Sequence, residues 1–154
     1  MTLDTDSQEL LTLLTEHRVE FLVAGGHAVA FHGYPRFTDA LDSYVRAEPE
    51  NASRIIAALE AFGFGSLGLT PADFVADDRV VQLGRAPNRA DILTRLWGVD
   101  FDGAWSRRVG GELGDSAVWI RSRADLVNNK RATGRPQAVA DVAALEALDG
   151  PSDP

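Results

Sequence analysis

The chain reads as an α/β (α+β) domain, a small mixed sheet flanked by helices. Three observations predict this. Short apolar runs alternate with stretches of helical periodicity. Glycine and proline punctuate nearly every junction between them. No apolar run approaches the ~18 residues needed to span a bilayer. At 154 residues the chain is long enough for one domain with a real core. Residues 1–150 are expected to form that domain, and 151–154 a frayed tail.

Composition narrows the function classes. The chain has no cysteine, which excludes disulfides, thiolate metal sites and cysteine nucleophiles. Together with an acidic N-terminus lacking a signal-peptide pattern, this predicts a cytoplasmic protein. The formal net charge is -8, which argues against a generally basic nucleic-acid binder. Basic residues nevertheless cluster at Arg121, Arg123, Lys130, Arg131 and Arg135, with Asp125 the one acid among them. That run is expected to form a local patch able to hold a polyphosphate.

Taken in order, Thr5-Asp6-Ser7 supplies candidate caps for a first helix, with Leu10, Leu11, Leu13 and Leu14 at helical spacing up to about His17. Phe21 to Ala24 is a buried strand, broken by Gly25-Gly26. His27 to Phe31 is a short helix stopped by Gly33 and Pro35. Leu41 to Arg46 is the next strand. Pro49 opens a helix through Phe62, with Ile55, Ile56, Leu59 and Phe62 at core spacing. Thr70-Pro71-Ala72-Asp73 caps a short turn of helix. Val80 to Leu83 and Ala90 to Leu93 are strands joined by G-R-A-P-N. Asp102 to Val109 reads as a weak helix, Gly110-Gly111 and Gly114-Asp115 as breaks, and Ala117 to Ile120 as a last strand. Ser122 caps a helix carrying Leu126, Val127 and Lys130, and Pro136 starts a final amphipathic helix.

Two features carry chemistry. Gly25-Gly26 lies between a strand and a helix, where glycine permits positive φ and a close ligand approach, and where free backbone N–H groups attract phosphate. A plain strand-to-helix turn explains the same residues. The second feature is a set of strand-borne carboxylates. Alternate residues share a strand face, so Ala40 and Asp42 point one way and Asp39 and Leu41 the other. Asp91 sits on a separate strand between Ala90 and Ile92, where a carboxylate is costly unless paired or metal-bound. Three carboxylates from adjacent strands would hold two Mg²⁺ ions through hard oxygen ligands, a pair that orients a triphosphate and activates an attacking hydroxyl. Strand ends facing water are the plainer explanation. His17, His27 and His32 lack zinc-site spacing. Trp97, Trp105 and Trp119 are read as core or edge packing.

The chain from Phe21 to Leu148 resembles the polymerase-β-type nucleotidyltransferase superfamily, in particular small bacterial toxin and abortive-infection nucleotidyltransferases. The resemblance rests on V-A-G-G-H-A-V-A-F-H-G-Y-P-R-F-T, the acidic strand after it, N-R-A-D-I-L-T-R-L-W-G-V-D-F, and N-K-R-A-T-G-R-P-Q-A-V-A-D-V-A-A-L-E. It implies Mg²⁺-dependent transfer of a nucleotidyl group from a nucleoside triphosphate to a hydroxyl acceptor: tRNA, a protein side chain or a small molecule. It implies that Gly25 and Gly26 contact phosphate, that Asp42 and Asp91 are catalytic metal ligands, and that Arg36, Thr38 and Lys130 bind the nucleotide.

The first position of the family's Asp-x-Asp pair falls on Ala40, which cannot bind a metal. A pseudoenzyme, an inactivated variant, or Asp39 re-aimed through a bulge are the three arrangements compatible with it. The alternative function is a catalytically dead nucleotide- or protein-binding module, such as one half of a toxin–antitoxin pair.

Overall fold

The computed structural model describes residues 3–33, 40–76, 78–84, 88–96, 99–133 and 143. Helix α1 spans Thr5–Glu16, so the residues expected as caps form its first turn and the cap lies one residue earlier. Asp4 is the cap, its carboxylate accepting from the Ser7 backbone N–H at 2.9 Å. Leu10, Leu11 and Leu14 form the buried stripe of α1. Strand β1 (Phe21–Ala24) is buried along its whole length. Helix α2 (Gly25–Phe31) follows without an intervening loop. Strand β2 covers Ala40–Val45. Helix α3 (Pro49–Phe62) opens on proline and closes on Gly63 in the left-handed region. The Thr70 capping box is present, with Asp73 accepting from the Thr70 N–H over a 3₁₀ turn at Pro71–Phe74.

Strands β3 (Val80–Leu83) and β4 (Arg89–Leu93) follow. Helix α4 is shorter than expected, Phe101–Ser106, because the next residues join the sheet. Val109–Leu113 is a strand, β5, running through the two glycines read as breaks. Its partner β6 is Ser116–Ile120. Gly110 and Gly111 are strand residues because rings from elsewhere lie over them. A Cβ on Gly111 would meet Phe31 Cε1 at 2.4 Å, and one on Gly110 would meet the Trp119 ring at 3.4 Å. Trp105 and Trp119 pack as expected at an edge, with the Arg108 guanidinium between them at 4.2 and 4.3 Å. Helix α5 (Arg123–Thr133) is capped by Ser122, whose hydroxyl accepts from the Asp125 N–H. The expected final helix from Pro136, and Trp97, lie outside the described residues.

The six strands form one mixed sheet in the order β3-β4-β2-β1-β6-β5. β1 and β2 pair antiparallel, β2 and β4 parallel. One face carries the main core, where Val23, Leu41, Val45, Ile92 and Ile120 meet α1 and α3. Ser43 is buried on that face as well. The opposite face has a smaller cluster of Leu22, Ala24, Tyr44 and Ala104, with Phe101 and Trp105 of α4 packed against it. No helix among the described residues is long and apolar enough to cross a membrane.

Candidate functional site

The carboxylates lie on this second face. β2 alternates strictly, so Ala40, Asp42 and Tyr44 share one side. Register then fixes their neighbours. Ala24 pairs with Asp42, Asp42 with Asp91, and Asp91 with Gln82. These four residues form one row across β1, β2, β4 and β3, with adjacent strands about 4.8 Å apart. Asp91 is buried and Asp42 half-buried. Neither is a water-facing strand end.

The row ends at the glycine turn. Gly25 follows Ala24 directly and has φ +62. A Cβ there would lie 2.0 Å from Asp42 Oδ2. Glycine is required at this position because the Asp42 carboxylate occupies the space where a side chain would start. The structure therefore brings Gly25, Asp42 and Asp91 together, with Gly26 one residue further into α2.

Arg36 and Thr38 lie outside the described residues, as does Asp39. Lys130 belongs to α5, its side chain outside the described part. The expected basic patch is corrected at Arg121. That residue is 1% exposed, and its Nη2 donates to the Asp125 carbonyl at 2.8 Å. Burial lowers its pKa to about 10, opposed by the nearby Asp125 charge. It is a core arginine rather than part of a surface phosphate clamp. The bulge that would re-aim Asp39 lies outside the described residues, and from Ala40–Arg89 to Tyr44–Leu93 the ladder of β2 with β4 is unbroken.

Two further residues belong to the site. Arg89 precedes Asp91 by two positions on β4 and shares its face, and its Nε lies 3.1 Å from Asp91 Oδ1. Spacing along the strand carried that signal. His27 is buried in α2, hydrogen-bonded to the Ala40 backbone, and its Nδ1 has no hydrogen-bond partner among the described residues. Burial is the main cause that pushes its pKa below the usual value. No sequence pattern signals that contact.

Two carboxylates from adjacent strands suit one hard cation that keeps part of its water and binds substrate phosphates as well. A pair of ions about 4 Å apart needs more oxygen ligands than this row supplies. Among the described residues no three of His, Cys, Asp or Glu are gathered to hold a metal. Beyond Tyr44 on the same face is a cavity of about 420 Å³, lined by Tyr44, Arg46, Thr94, Arg95 and Phe101 among others. Its lining also includes Glu48, Asp100 and Asp102. Arg46 is tied there, to Glu20 at 3.0 Å, to Glu48 at 3.5 Å and to Asp102, and its guanidinium lies 4.6 Å from the Phe101 ring centroid. Compared with known proteins, the chain matches no family model and no curated protein.

Proposed function

We propose that the chain is a nucleotidyltransferase-like protein in which Asp42 and Asp91, beside the Gly25 turn, address the triphosphate of a nucleotide through a single Mg²⁺. The observation that supports it is the register of Asp42 with Asp91 beside a positive-φ glycine at a strand-to-helix turn. Asp42 and Asp91 would hold the ion, which supplies charge neutralisation for the phosphates when bound. Gly25 keeps the turn close enough for backbone N–H groups to face an anion. The cavity beyond Tyr44 has room for the acceptor. Its lining sets Glu48, Asp100 and Asp102 against Arg46 and Arg95, and that slight excess of acid favours a small-molecule or protein hydroxyl over the polyanionic backbone of tRNA.

A second reading is favoured by residue 40. Ala40 is 6% exposed and offers no ligand atom where the resemblance implies one. The chain would then be a nucleotide- or protein-binding module that does not transfer, such as a toxin–antitoxin component. Calorimetry with the four common nucleoside triphosphates, with and without Mg²⁺, tests the nucleotide site. Mg²⁺-dependent binding that is lost in Asp42→Asn supports it. No binding in either the native chain or Ala40→Asp sinks it. Labelled-nucleotide transfer separates the two readings, because the module predicts binding without transfer until Ala40→Asp restores the ligand.

A further inference from the structure

The pairing of β2 with β4 places Arg89 directly beside Ala40, just as it places Asp91 beside Asp42. All four residues share one sheet face. The position where a third carboxylate is missing is thus the neighbour of a guanidinium. That guanidinium reaches along its own strand instead, bringing Nε to 3.1 Å from Asp91 Oδ1. The contact is poorly formed. Both atoms are shielded from solvent, yet the N–H does not point along the contact, so no hydrogen bond joins them. A charge contact of this kind holds a carboxylate without the directional bond that makes an ion pair strong.

We infer that Arg89 is a built-in counter-cation that occupies the Asp91 carboxylate in place of a metal ion, and that the residue at position 40 decides whether it does so. With alanine at 40, Arg89 faces Asp91 and weakens its use as a metal ligand. With a carboxylate at 40, one strand spacing away, Arg89 has an acid directly across the ladder and loosens its own hold on Asp91. Loss at position 40 therefore removes one ligand and also masks a second. This deepens the proposed cation site and rests on it, while concerning Arg89 alone.

The experiment measures Mn²⁺ affinity by electron paramagnetic resonance on the full chain, with Ala40→Asp, Arg89→Gln and the double variant. Arg89→Gln is expected to bind Mn²⁺ about tenfold more tightly than the native chain, the low end of the about 10- to 1,000-fold by which a cation beside a carboxylate weakens its hold on a proton. The double variant is expected to bind tightest. Equal or weaker binding by Arg89→Gln, with the double variant still binding, overturns the role of Arg89 and leaves the cation site standing. No Mn²⁺ binding in any of the four sinks the cation site itself. Should Arg89→Gln fail to fold, the native chain carries the test. Mg²⁺ titration should shift the Arg89 Nε–Hε resonance as Asp91 is taken over. A resonance unmoved at saturating Mg²⁺ overturns the inference.

Discussion

Gly25 and Asp42 compete for the same few cubic ångströms. Alanine at position 25 would place its Cβ 2.0 Å from Asp42 Oδ2 and 2.8 Å from Cγ. It would also hold a side-chain-bearing residue at φ +62, a conformation costing about 1–2 kcal/mol. Gly25→Ala should therefore lose more than about 2 kcal/mol in urea unfolding, the clash adding to the strain. In an Asp42→Ala background the 2.0 and 2.8 Å contacts are gone and only the Cβ of residue 42 stays close, at 3.1 Å, so the same change should cost less, mainly the strain of about 1–2 kcal/mol. Equal costs in both backgrounds would show that the carboxylate does not fill that space.

His27 gives the second prediction at this scale. Its folded pKa is lowered, first by burial, while the unfolded value is near 6.5. Above pH 6.5 both states are neutral there and its full contribution is present. As pH falls below 6.5 the unfolded chain takes up the proton first, so stability declines until the folded pKa is passed. The melting temperature should drop between pH 6.5 and 5 more steeply in the native chain than in His27→Gln. Parallel profiles would remove His27 as the cause.

At the scale of elements, local chemistry was legible and pairing was not. The proline opening of α3, the Ser122 cap of α5, the Thr70 box and the apolar stripe of α1 depend on residues within a turn of each other, so the sequence carries them directly. Asp42 and Asp91 could each be placed on a strand, but their adjacency depends on β4 pairing with β2 rather than with β1. The turn at Gly25 was legible as glycine chemistry. The carboxylate pressed against it was not. β5 was missed because Gly110-Gly111 looks like a break unless one knows that Phe31 and Trp119 lie over it. Arg121 was misplaced for the same reason, since burial is decided by elements far along the chain.

The covering of β5 by rings can be tested within one strand. Gly111→Ala should cost about 1–3 kcal/mol by overpacking, with Phe31 Cζ at 2.8 Å and Ile120 Cδ1 at 2.9 Å from the new carbon. Gly110→Ala meets only the Trp119 ring at 3.4 Å and should be near neutral. Thermal unfolding of both variants checks the asymmetry. Equal losses would mean that backbone freedom, not the covering rings, fixes glycine there.

At the scale of the whole molecule the two sheet faces are built differently. One is a broad apolar layer under α1 and α3. The other holds the carboxylate row and a small aromatic cluster, and is tied at its far side by charge. Asp125 of α5 is 4% exposed and accepts from Arg107 Nε, just after α4, at 2.9 and 3.1 Å. Its charge also offsets the buried Arg121. One carboxylate thus joins α4, α5 and the end of β6 behind the site. Removing it leaves a buried guanidinium without its main counter-charge, which typically costs about 3–5 kcal/mol. Arg107 is half exposed and hydrates readily, so the lower end applies: Asp125→Asn should lose about 3 kcal/mol. That is a large share of the 5–15 kcal/mol typical of a domain. If the loss comes from the uncompensated charge, pairing Asp125→Asn with Arg121→Met should recover part of it, because a buried ion pair can be replaced by apolar volume at little cost. Guanidinium chloride screens such charges, so urea unfolding is the appropriate measurement. Failure of Arg121→Met to recover any stability would locate the loss in the Arg107 contact and the α4–α5 tie instead.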